Sequence, residues 1–384
     1  MRHFIFFLIV AILISACNGS SKKSDTPETI KQTLRNVPPV GYYSLNGHIH
    51  QTKVFVNLHI TEQGIRGSYT DENTGVLVHV FSIAYRPTED SIILLASPYR
   101  AVQDVYSGED TLVLAYQKES FKGYRKTSGD APQAVEWKII SDDSVLSFEP
   151  IRIKDSVVMT EGPAAYIDVE MIAPHVRTSD TKSATLHQWI VQFGLPELKS
   201  APEKTLTAAQ SYVSGYLNDF KASMQRAITS TDMDFTLPVY QYQQQRIMSV
   251  LYNRKNILVL SNYIFDYSGG AHPNHVTYIR CFDMKQEKVI QWDDIFKVAP
   301  EQMSGLMETH FRLTRGLSSE TPLKSILFED KILPNQNFYL THTGVGFWYV
   351  PYEIAAYVYG DTEVFIPFED LKPYVREDIL KRFE

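Results

Sequence analysis

The stretch KVFVNLHI, Lys53 to Ile60, alternates strictly between apolar residues (Val54, Val56, Leu58, Ile60) and a mixed set (Lys53, Phe55, Asn57, His59). A period of two is the signature of a β-strand with one face turned to a core. Working outward, the same texture runs from Gly41 to about Ser144. GIRGSYTDENTGVLVHVFSI (64–83) reads as strand, Asp/Asn/Gly turn, strand. DSIILLAS, DTLVLAY, FKGYRK and AVEWKII follow, with polar breaks between them. No helical period competes here, so residues 41–144 are expected to form an all-β sandwich or small barrel. Its opening hairpin is expected to join GYYSLNGHI to IRGSY.

The texture changes near 145–155. SVLSFEPIRIKDSV and AAYIDVEMIAP are strand-like, and TSDTKSATLHQWIVQF then brings helical spacing, with Leu186, Ile190 and Phe193 on one face. The clearest helix lies near Thr205 to Ile228, where Ala209, Val213, Tyr216 and Phe220 make one stripe. Another is expected to start at Pro300 and stop at Gly316. Strands and helices alternate irregularly over 151–384, so this half is expected to be α+β.

The first residues set the compartment. Arg2 and His3 precede an apolar run of 11 residues, Phe4 to Ile14, too short for a comfortable membrane span. Ile14-Ser15-Ala16-Cys17 resembles a bacterial lipobox, so residues 1–16 are expected to be a lipoprotein signal peptide and Cys17 the acylated first residue. Acyl chains there would hold the protein to a lipid bilayer, each buried CH₂ contributing about 0.8 kcal/mol. Residues 17–39, polar and rich in Ser, Lys, Thr and Pro, read as a flexible tether. Asn18, where an inner-membrane retention signal would place Asp, favours the outer membrane, facing the periplasm or the cell surface. Cys281 is the other of the two cysteines, which leaves no internal disulfide once Cys17 is acylated. Losing residues 1–16 removes one positive charge, Arg2, and moves the formal charge from −7 to −8, which argues against nucleic acid as a partner.

YSGGAHP (267–273), FDMKQEKVIQWDDIF (282–296) and NFYLTHTGVGFWYVPYEIAAYVYGDTEVFIPFEDLKPYV (337–375) occur in an order that resembles one extracytoplasmic domain family. That domain forms the C-terminal part of the lysozyme-sensing anti-sigma factor RsiV and occurs in PdaC-type cell-wall deacetylases. The resemblance is strongest over 241–375 and does not reach 41–144. It implies an α+β fold similar to a subdomain of the Hsp70 ATPase, without a nucleotide site. It also implies a non-catalytic module that senses a ligand or associates with the wall. A lipobox replaces RsiV's sigma-binding segment and spanning helix, and no deacetylase domain is present, so neither activity carries over.

Within YSGGAHP, Gly269 and Gly270 suit a turn with positive φ, and Pro273 fixes its exit. The bland expectation is a hairpin in which His272 bonds nearby backbone. The sharper one is ligand contact by Tyr267, Gly269, Gly270, His272 and Pro273, because loops on a rigid sheet commonly carry binding. His48 and His50 would share a strand face and could be joined by His59 or His79 in a metal cluster, although solvated strand histidines explain them more cheaply. His272 and His275 have similarly weak metal spacing. The two S-x-x-K matches, Ser20 to Lys23 and Ser179 to Lys182, lack the further motifs of a β-lactamase-like site. One of Asp293 and Asp294 is expected to cap a short helix beside Trp292 and Phe296, and Glu353, partly buried, to pair with a Tyr hydroxyl or a backbone amide. No G-x-S-x-G, H-E-x-x-H, Walker or dinucleotide fingerprint occurs.

The expectation is a lipid-anchored cell-envelope binding or sensing protein, not an enzyme and without a cofactor or metal. Its ligand would be a lysozyme-like muramidase or a peptidoglycan fragment. The alternatives are an envelope hydrolase with an unrecognised site at the domain junction, and a scaffold of an outer-membrane assembly. Which domain binds, and in what oligomeric state, is not encoded in any motif.

Overall fold

Val54, Val56, Leu58 and Ile60 all turn inward from one strand, β2 (Thr52–Thr61), and are almost wholly buried. The computed structural model describes residues 38–82, 91–98, 110–141, 145–160, 162–175, 181–230 and 241–383. The signal segment 1–16, Cys17, the tether to residue 37, and both Ser20–Lys23 and Ser179 lie outside the described residues. Beside β2 stand β1 (Gly41–Ile49), β3 (Gly64–Asp71), β4 (Leu77–Ser82), β5 (Ile92–Pro98), β6 (Asp110–Gln117), β7 (Ser120–Lys126) and β8 (Gln133–Ile139). Each pairs antiparallel with the next, and β1 also pairs with β8, so the eight strands close into a barrel. Closure leaves no strand edge in the barrel. Its interior is filled by side chains such as Leu45, Leu94, Phe121 and Trp137.

The opening hairpin therefore differs from the expected one. GYYSLNGHI pairs with β2 through a tight turn at His50 and Gln51, and IRGSY joins the far side of β2. Hairpin formation between sequence neighbours costs less loop entropy than skipping a strand. Gly67 of β3 lies close against the β2 backbone at Asn57. A Cβ there would lie 1.9 Å from the Asn57 carbonyl oxygen, so only glycine allows the local bend.

A six-stranded sheet follows, in the order β14-β13-β12-β11-β10-β9. Its strands are β9 (Phe148–Val158), β10 (Ala164–Pro174), β11 (Tyr242–Arg254), β12 (Ile257–Tyr267), β13 (Asn274–Asp283) and β14 (Lys288–Val289). Only β10 and β11 run parallel, because two helices cross between them: α1 (Thr181–Gly194) and α2 (Thr205–Ser230). Leu186 and Ile190 of α1 and Ala209, Val213 and Phe220 of α2 bury against Val169, Met171, Met248 and Leu260, with Phe193 and Tyr216 half-buried beside them. The buried Arg246 ties this layer together, donating to Tyr212 Oη (2.8 Å) and the Gly194 carbonyl (3.2 Å) and pairing with Glu197.

The last third begins with α3 (Trp292–Ile295), where Asp294 accepts the Gln291 N–H at 2.8 Å, the expected cap. Pro300–Met303 forms a 3-10 turn before α4 (Ser304–Arg315), so the α-helix itself starts one turn later than expected; Gly316 closes it at φ 62°. A three-stranded sheet, β15 (Phe338–Leu340), β16 (Gly344–Tyr349) and β17 (Thr362–Pro367), and the helices α5 (Phe368–Leu371) and α6 (Glu377–Phe383) complete the chain. Glu353 is exposed, contrary to expectation, although it does accept the Val350 N–H at 3.0 Å. Among the described residues the buried carboxylates are Glu170, Asp283, Asp361 and Glu363 instead.

The barrel docks on the sheet at a β-bulge in β11 between Val250 and Tyr252. A bulge frees backbone groups from the ladder, and barrel side chains satisfy them. His59 Nε2 accepts the Val250 N–H (3.1 Å), Asn57 donates to the Leu251 carbonyl (3.1 Å) and Ser68 to the Val250 carbonyl (3.5 Å). Asn57 and His59, on the outward face of β2, are thereby 6% and 1% exposed.

Candidate binding pocket between the barrel and the sheet

The face of the sheet away from α1 and α2 is divided. Val259, Ile279 and Cys281 enter the apolar core shared with β15–β17, while Ser249, Ser261, Tyr263, His275 and Thr277 line a cavity of about 290 Å³. Strands β3 and β4 of the barrel supply a second wall with Arg66, His79 and Phe81, and Trp348 and Asp361 form the third. The volume is at the lower end for a small-molecule site, and three parts of the fold are needed to enclose it.

Asp361 is 1% exposed. Its Oδ2 accepts the Thr277 hydroxyl at 3.3 Å, and its Oδ1 lies 3.6 Å from His275 Nε2. His275 packs between Tyr263 (6.0 Å between ring centroids) and Tyr357 (5.8 Å). Loss of hydration pushes the His79 imidazole down to about 4, against the opposing pull of Asp361, so it is neutral near pH 7. Burial, with Asp361 and Tyr357 nearby, pushes the Tyr263 phenol up to about 12. Arg66 faces both Tyr263 and Glu170, and burial raises the Glu170 carboxyl while Arg66 and Arg152 pull it back. Arg152 grips Asp168 with two bonds (2.9 and 2.6 Å), continuing the polar belt along β9 and β10. The pocket thus offers charged and neutral donors and acceptors side by side, backed by the rings of Phe81 and Trp348.

YSGGAHP is the β12–β13 turn, with φ of 89° at Gly269 and 101° at Gly270. Tyr267 Oη donates to the Gly270 carbonyl (2.9 Å), and His272 Nδ1 lies 2.9 Å from the Pro273 carbonyl. Tyr357 Oη donates to the same carbonyl at 3.0 Å, and its ring stacks on His272 at 4.8 Å. The turn therefore sits at the pocket rim, joined to His275 through Tyr357. Sequence reasoning missed Arg66, Asp361, Trp348 and Tyr357. The two histidines, His272 on the turn and His275 three residues on in the strand, were the available signal.

The suggested cluster of His48, His50, His59 and His79 does not assemble. His50 takes a left-handed turn conformation (φ 56°), His59 is buried at the β11 bulge, and His79 faces Trp348. Among the described residues no group of three His, Cys, Asp or Glu side chains could hold a metal ion, and no helix is long and apolar enough to cross a membrane. Cys281 is buried, its thiol pushed up to about 12 by lost hydration.

Residues 293–369 match DUF3298, a family of unknown function. Trp348, Tyr357 and Asp361 fall inside the matched segment; the barrel wall and the YSGGAHP turn fall outside it. The fold is similar to the crystal structure of a DUF3298 family member from Bacteroides fragilis. The TM-score is 0.57 at 22% identity, over 63% of this chain and 99% of that one. A DUF3298 family protein from Pseudomonas aeruginosa is also similar, with TM-score 0.40 and 16% identity, over 60% of this chain and 96% of that one. No curated protein matches the sequence.

Proposed function

We propose that this protein is a lipid-anchored binding protein of the cell envelope, and that the pocket between barrel and sheet takes a peptidoglycan-derived fragment. The observation that carries the reading is the 290 Å³ concavity whose polar lining mixes donors and acceptors with aromatic walls. A site of that shape suits a small hydroxyl-rich ligand better than the surface of a muramidase. The RsiV-like and Hsp70-subdomain-like resemblance over 241–375 supports a sensing module outside the cytoplasmic membrane, and Ile14–Cys17 supports anchoring through acylated Cys17 at the outer membrane. In a growing culture, labelled palmitate should enter the wild-type chain and not Cys17→Ser.

The test of the pocket is a binding titration of the detergent-solubilised chain with solubilised peptidoglycan and, separately, with lysozyme. Saturable binding of peptidoglycan fragments that is lost in Arg66→Ala supports the reading. Binding of lysozyme alone, indifferent to Arg66→Ala, would move recognition to a protein partner elsewhere on the surface.

One observation favours a second reading, hydrolysis. The His275–Asp361 pair, with Ser249 and Ser261 in the same cavity, supplies a base, its orienting carboxylate and hydroxyls. Release of soluble fragments from intact peptidoglycan by the wild type, and not by His275→Gln, would establish it.

A further inference from the structure

Tyr352 is out of place by the ordinary rules of folding. It lies in the left-handed region (φ 69°), where a residue with a Cβ is strained, and its side chain recovers little of that by burial, being 55% exposed. The backbone there needs only a turn, closed by the Tyr352 N–H on the Ala355 carbonyl at 3.1 Å. Glycine would make the same turn without strain. What tyrosine adds is a ring, and that ring is 5.6 Å from Tyr357, which stacks in turn on His272. Tyr357 also touches His275, so it stands at the pocket, with the exposed His272 and Tyr352 on either side of it.

We infer that Tyr352, Tyr357 and His272 continue the pocket as a stacking surface, and that the ligand is a glycan chain: one sugar in the cavity and the next against the rings. This rests on the pocket reading above and extends it. The cavity is small, so a longer ligand extends beyond it, and this rim adjoins it at His275. The floor strand β12 is paired on both sides, and on the outer side of β13 the Ile279 N–H and the Thr277 carbonyl are taken by the Asn337 side chain, which leaves little backbone edge for an extended peptide there. The polar groups are hydroxyls, imidazole, carboxylate and guanidinium, which pair with sugar hydroxyls in both senses. Aromatic faces complement the C–H faces of a pyranose.

The experiment is calorimetric titration of the full, detergent-solubilised chain with N-acetylglucosamine and its short β-linked oligomers, alongside Tyr352→Gly and Tyr352→Phe. The wild type should gain about tenfold in affinity from monomer to oligomer. Tyr352→Gly should keep the monomer affinity, lose the gain, and melt no lower than wild type; Tyr352→Phe should keep the gain. A length gain that survives in Tyr352→Gly, or a wild type that binds monomer and oligomer equally, overturns the stacking surface and leaves the pocket reading standing. A wild type that binds none of these sugars overturns the glycan ligand, and the peptidoglycan titration above then decides the pocket reading by itself.

Discussion

The two faces of the six-stranded sheet follow different rules. Against α1 and α2 the strands present Val169, Met171, Met248, Leu258 and Leu260, and the helices answer with apolar stripes. Against the barrel they present serines, a threonine, a tyrosine and a histidine, and the barrel answers with Arg66, Asn57, His59 and His79. The first face holds by area removed from water. The second holds by hydrogen bonds such as those of Asn57, Ser68 and His59 to the β11 bulge, and it encloses the cavity. The contrast suggests that stability resides mostly on one face and specificity on the other.

The sharpest way to break that contrast is to cut each face separately. Leu260→Ala on the helix face should cost about 2–5 kcal/mol by cavity formation, read as a lower denaturant midpoint, with ligand affinity of the folded fraction unchanged. A loss of affinity in that variant would show the faces to be coupled.

Acid should act on the barrel face first. Burial pushes His59 down to about 4, so the unfolded chain binds its proton more readily than the folded one. Its contribution is therefore fully present above about pH 6.5 and is lost as pH falls towards 4, about 3 kcal/mol in all. Protonation also ends its role as acceptor for Val250. Chemical denaturation from pH 7 to 4 should show this slope, flattened in His59→Gln. Glu363, pushed up to about 7 by burial against the opposing pull of its hydrogen bond from Tyr339, works in the opposite sense. Its contribution is present below the ordinary carboxylate value and is lost as pH rises through about 7, a dependence that Glu363→Gln should remove.

Asn253→Ala should cost somewhat less, about 2 kcal/mol. It strands the Leu146 N–H and carbonyl, which Asn253 now meets at 3.1 and 2.8 Å. The smallest effect is expected at the half-exposed Lys154, 3.5 Å from Asp168. Lys154→Ala should change stability by less than about 1 kcal/mol. A larger loss would mean that the polar belt of β9 and β10 acts as one network.

The same contrast explains what could be read from sequence. The barrel strands and the stripe on α2 were legible because apolar burial leaves a period, as in Val54 to Ile60 and in Ala209 to Phe220. The barrel–sheet face leaves none. Asn57 and His59 fall on the outward side of β2 and look solvated, yet they are buried because a bulge in β11, invisible as a pattern, demands partners. Arg66 and Asp361 belong to opposite ends of the chain, so only the closed fold brings them to one cavity. YSGGAHP was legible as a hairpin turn, but its neighbour Tyr357 was not, since an aromatic in a tyrosine-rich loop carries no positional signal.

The closure of the barrel has a mechanical consequence. The segment preceding the barrel joins it at Gly41, the start of β1, which is laddered to β2 along its full length and to β8 from Leu45 to Ile49. A pull transmitted along that strand would load the β2 seam first and, from Leu45 onward, would have to slide two hydrogen-bonded seams at once. Such a joint resists load by shear, so the pocket would keep its shape under tension applied from that end.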